Sequence, residues 1–69
     1  MSREGWQKVF ETSLLHQAEI VRDFLENHNI GAILLDKRDS MYHFGLYEIM
    51  VHRDNVLRAT TLVKNNIEF

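Results

Sequence analysis

Leu46 to Ala59 reads LYEIMVHRDNVLRA, and the spacing of its apolar residues changes halfway along. Up to His52 the pattern alternates: Tyr47, Ile49 and Val51 share one side, Leu46, Glu48, Met50 and His52 the other. That is the period of a strand. Asp54 can then accept an orphan backbone N–H at a helix start. Beyond it Val56, Ala59, Leu62 and Val63 recur at helical spacing, with Thr60 beside them. The stretch predicts a strand leading directly into a helix from Asn55 to about Lys64.

Working back from that strand, Gly31 to Asp36 (GAILLD) is a short apolar run after a helix stop and predicts another strand. Before it, Leu14, Ala18, Val21, Leu25 and His28 form a helical stripe, widened by Ile20 and Phe24. Thr12 and Ser13 can each cap this helix. Asn29 can end it in the left-handed conformation, with Ile30 folding back onto the last turn. Trp6 to Glu11 (WQKVFE) alternates, placing Trp6, Lys8 and Phe10 on one side and Gln7, Val9 and Glu11 on the other. Past the second helix, Asn65–Asn66 offers another left-handed stop, and Ile67 to Phe69 can form a short last strand.

The order is β-α-β-β-α-β, and it reads as two weak copies of one unit. Ala18 to Ile30 and Ala59 to Ile67 each hold a helix that opens with alanine, ends in asparagine and passes to isoleucine. This predicts an α+β, ferredoxin-like domain: a four-stranded antiparallel sheet with two helices on one face. The domain is expected over 6–69, with 1–5 a frayed terminus.

The totals agree with one small globular domain. The chain has 69 residues, 45% hydrophobic and 26% charged, with formal net charge -2. A chain this short buries only about 60% of its unfolded surface, so tight packing or self-association must supply stability. It has no cysteine, which excludes disulfides, thiolate metal sites and cysteine nucleophiles. The acidic balance argues against a nucleic-acid partner, which needs a cationic face. No apolar run approaches the ~20 residues that span a bilayer, and the MSREG opening leads into no secretory signal. A cytoplasmic protein without membrane contact is expected.

At family level the chain resembles the small bacterial domains described as "putative signal-transducing proteins", otherwise of unknown function and grouped by fold with the PII-like regulators. The resemblance is carried by the aromatic opening strand ending at Glu11, the helix bearing Ala18 and ending in HNI (His28 to Ile30), LLDKRDSMYHFG (Leu34 to Gly45) and VHRDNVLRA (Val51 to Ala59). It implies a regulatory role and carries over no catalytic residue.

Two places can make contacts. One is the connection DKRDSMYHFG, Asp36 to Gly45. Between neighbouring strands it is longer than the two to five residues usual for a hairpin, and long loops on a rigid frame tend to carry function. Lys37, Arg38, Asp39, Ser40, Tyr42 and His43 are its candidate contact residues. Lys37, Arg38, a serine hydroxyl and the first helix's start could together hold a small anionic ligand. The plainer reading is turn chemistry at Asp39–Ser40, with Asp36 and Asp39 neutralising Lys37 and Arg38.

The other place is the sheet face without helices. Leu46 and Met50 fall there, joined from the first strand either by Trp6 with Phe10 or by Val9. A Trp6, Phe10, Leu46, Met50 patch predicts a homo-oligomer, because exposed apolar patches mark contact sites. The plainer reading is that Lys8 and Glu48 keep this face wet.

Catalysis and metal chemistry find no foothold. The four histidines, His16, His28, His43 and His52, show no ligand spacing. No nucleophile elbow, phosphate-binding glycine loop or paired acid and base is present. The sequence therefore predicts a non-enzymatic regulatory or interaction module without cofactor or metal, associating with itself and with a protein partner. The alternative is a sensor of an anionic metabolite or nucleotide.

Overall fold

The structure, a computed structural model, describes residues 5–37, 47–67 and 69. The elements are β1 (Trp6–Thr12), α1 (Leu15–Asn27), β2 (Ala32–Asp36), β3 (Tyr47–His52), a 3-10 turn (Arg53–Asn55) and α2 (Val56–Asn66). Among the described residues the sheet has three strands in the order β1-β3-β2, and β3 runs antiparallel to both neighbours. β1 and β2 are therefore parallel, separated by β3 and joined through α1.

This corrects the four-stranded ferredoxin-like expectation. The class is α+β, but among the described residues Ile67 to Phe69 add no strand. The difference begins in α2, which runs through Asn65 to Asn66 without either asparagine taking the left-handed conformation expected there. Asn66, its last residue, donates its side-chain amide to the Leu62 carbonyl at 2.9 Å. Ile67 then closes the helix, its N–H bonding the Val63 carbonyl at 2.9 Å, and packs against the core.

The end of α1 follows its sequence closely. Asn29 has φ 63°, and its N–H bonds Glu26 O at 3.0 Å. The Ile30 N–H bonds Leu25 O at 3.0 Å, and Ile30 is fully buried. These two bonds, with the apolar residue folded back, make the Schellman arrangement. At the other end Leu14, not Thr12 or Ser13, occupies the cap position without a side-chain bond. Thr12 acts from just outside: its hydroxyl accepts the Leu14 N–H at 3.1 Å and donates to Gln17 Oε1 at 2.8 Å.

The start of α2 also departs from expectation. Asp54 is not the cap. His52 Nδ1 accepts the Asp54 N–H at 3.3 Å, opening the 3-10 turn that leads into the helix. Gly5 is tied to the same corner. Its carbonyl accepts the Arg53 N–H, and its φ of 84° is one that glycine adopts freely. The two helices meet where Arg58 Nη2 donates to the His28 carbonyl at 2.9 Å, at the end of α1.

Both helices cover the face of β3 that carries Tyr47, Ile49 and Val51. Ala18, Val21 and Leu25 of α1 and Ala59 and Val63 of α2 close over those side chains, with Ile30 completing the core. The molecule is 15 Å thick along its shortest axis, enough for one sheet and one helical layer. Among the described residues the reverse of the sheet carries no second layer.

Candidate functional site

The reverse face is set by the register. Trp6 lies opposite His52, Lys8 opposite Met50, and Glu11 opposite Glu48. From β2, Ile33 lies opposite Met50 and Leu35 opposite Glu48. Directly opposed residues of an antiparallel pair share a face. The open face is therefore Trp6, Lys8 and Glu11 on β1, Glu48, Met50 and His52 on β3, and Ile33 and Leu35 on β2.

Strict alternation along WQKVFE does not hold. The register shifts between Lys8 and Phe10, leaving Val9 as an extra residue in a bulge. Phe10 then stands opposite Ile49, on the helix-covered side, and both Val9 and Phe10 pack against the core. Phe10 also meets Phe69, ring centroids 5.9 Å apart. Phe10 thus leaves the open-face set expected with Trp6, Leu46 and Met50. The physical cause is the bulge, which turns two adjacent side chains to one face. Trp6 and Met50 do lie on the open face. Leu46 falls outside the described residues.

The face has two parts. The apolar part is Trp6, Ile33, Leu35 and Met50, with Ile33 36% exposed and the other three half-buried. Trp6 stands edge-on to His52, centroids 6.0 Å apart. The charged part begins with a conflict: Glu11 and Glu48 are directly opposed, and like charges so placed repel. Two lysines resolve it. Lys8 Nζ lies 3.3 Å from Glu11 and 4.0 Å from Glu48, and Lys37 Nζ lies 3.2 Å from Glu48. The bulge makes the first contact possible, because it brings residues three apart in sequence onto one face. The Glu48 side chain is only 14% exposed and sits at the centre of the group. The group as a whole carries no net charge.

Lys37 was expected to join Arg38 and the start of α1 around an anion. Its ammonium is instead directed across the open face to Glu48. Arg38, Asp39, Ser40, Tyr42 and His43 fall outside the described residues. Thr12, paired with Tyr47, and Asp36, also paired with Tyr47, place the start of α1 and the end of β2 at one end of the sheet.

Ile33, Leu35 and Glu11 belong to the face and were missed as candidates. The first two could have been found by giving AILLD the same alternation as its neighbour, rather than treating it as apolar throughout. Among the described residues no three His, Asp or Glu side chains converge as metal ligands, and no helix is long and apolar enough to cross a membrane.

A family profile described as "Putative prokaryotic signal transducing protein" matches residues 6–67. No match is found among curated proteins or among solved structures.

Proposed function

The chain belongs to the prokaryotic family that its residues 6–67 match, and from that premise we propose that it is a small non-enzymatic regulatory module working by protein contact. It associates with further copies of itself through the open face of the sheet and presents the connection between β2 and β3 to a partner. The observation that carries this reading is the apolar group Trp6, Ile33, Leu35 and Met50 on the face opposite both helices. Apolar side chains gathered on an uncovered face, beside polar groups, are the usual mark of a contact surface. The neutral charged group next to it means that two such faces meet without net repulsion.

The alternative, a sensor of an anionic metabolite, loses its first cation, since Lys37 is engaged with Glu48. The test is sedimentation or light scattering over a concentration series. The parent protein should associate, and Ile33→Lys or Met50→Gln should weaken association while circular dichroism and the melting temperature stay close to the parent's. A parent protein that remains a monomer, or variants that associate equally well, would remove the open face as a contact surface.

A further inference from the structure

Among the described residues β1 has a partner on one edge only. It pairs with β3, and among the described residues nothing pairs with its other edge. Such an edge is a template for another strand. β1 also carries two features that discourage indiscriminate pairing, a lysine and a bulge. The same two features fit one particular strand.

From Gln7 to Thr12 the side chains face, in turn, the helices, the open side, the helices, the helices again, the open side and the helices. That order is the same read forwards or backwards about the point between Val9 and Phe10. In a strand of strict alternation it would not be, and an antiparallel copy centred there would bring open-face residues against covered ones. The bulge removes that mismatch. The charges then agree: in an antiparallel copy centred there, Lys8 opposes Glu11 of the second copy, and Glu11 opposes its Lys8. Both pairs lie on the open face. On the other side Val9 opposes Phe10, whose ring meets that of Phe69.

We propose that β1 is the seam of a homodimer, two copies joining edge to edge and antiparallel about a two-fold axis between Val9 and Phe10. A two-fold axis normal to the sheet makes every contact occur twice, as isologous interfaces require. It keeps the helices of both copies on one side and joins the two three-stranded sheets into one. The occupant is a second copy rather than another protein's strand because the sequence of sides and charges on β1 is its own complement. Opposite charges directly across a strand pair attract and like charges repel, which selects this partner over others. This contact is separate from association through the open face, and the two can fail independently.

The test uses Lys8→Glu and Glu11→Lys, each alone and then mixed in equal amounts, with mass measured by light scattering. At a concentration where the parent is associated, each variant alone should lower the average mass. It replaces two attractive cross-seam pairs by two repulsive ones and should weaken the dimer about tenfold or more. The mixture should restore the mass, because each variant then presents the charges that the other lacks. The pairing of Lys8 with Glu11 inside one chain is lost in both variants and does not return on mixing, so restoration reports contact between copies. Because both residues also lie on the open face, the cross-link below assigns that contact to the seam.

A second measurement needs no charge reversal. The chain has no cysteine. Lys8→Cys and Glu11→Cys proteins mixed and oxidised should form the mixed disulfide in preference to either homodimer, since directly opposed positions fall within disulfide reach. Variants that associate like the parent, a mixture that does not recover, or the absence of mixed-disulfide preference would overturn the seam and leave the open face as the contact. A parent protein that is monomeric throughout would overturn both.

Discussion

The two faces of β3 are built from alternate residues of one six-residue strand, yet they behave as different materials. Tyr47, Ile49 and Val51 are buried, the last two completely, under two helices. Glu48, Met50 and His52 are half-buried and have no helix over them. On the covered face each side chain is fixed by neighbours on every side. On the open face the side chains hold one another in place through ion pairs and edge contacts. Stability should therefore respond steeply to change on one face and weakly on the other, while association should respond in the opposite sense.

The largest expected effect tests the covered face. Ile49→Ala should cost about 3 kcal/mol in urea unfolding, since it opens a cavity in a fully packed site. For so small a domain this is a large part of the whole. A loss below about 1 kcal/mol would mean that the helices are not packed on this face.

Deleting Val9 sharpens the comparison at β1. Lys8 would still stand opposite Met50 and Phe10 opposite Ile49, so neither face exchanges its residues. The cost should be about 1.5 kcal/mol, the apolar contact of one half-buried valine, with the circular dichroism spectrum kept. Loss of the fold would show that the bulge is needed for more than this contact.

Met50→Ala is the open-face counterpart of the Ile49 change. It should cost about 1 kcal/mol, because the side chain is partly solvated already. A cost equal to that of Ile49→Ala in the dilute protein would erase the distinction between the faces.

The smallest effect is expected from Glu48→Gln. It removes the anion that Lys37 and Lys8 share but also relieves the opposition of Glu11 and Glu48. The change should be about 0.5 kcal/mol or less, and smaller still at high salt. A larger, salt-independent loss would show that the charged group acts as a buried unit.

Part of this architecture was legible residue by residue. The alternation of YEIMVH identified β3 and its covered side correctly, and the Ala18, Val21, Leu25 stripe identified the buried side of α1. Asn29 was readable as a helix stop because the αL conformation is available to few side chains other than glycine and asparagine. The two-residue apolar step Val9–Phe10 was a visible sign that WQKVFE could not alternate cleanly. It did not say to which side the surplus residue belongs. That depends on β3, which lies far along the chain. The candidate site was legible less completely: Trp6 and Met50 were placed on the open face, Phe10 was not, and the pairing of Lys37 with Glu48 of the neighbouring strand was not foreseen.

The sequence alone settled what depends on neighbours along the chain: the period of β3 and of the two helices, the stop at Asn29, the lack of cysteine chemistry and the family. Tertiary structure alone settled what depends on distant pairings. It gave the bulge opposite Ile49, the lysines bracketing Glu48, and, among the described residues, a sheet of three strands with Ile67 closing α2. Local conformation follows from torsional preference and side-chain spacing within a few residues. Which edge is paired and which face is covered follow from contacts between segments that only the folded chain brings together.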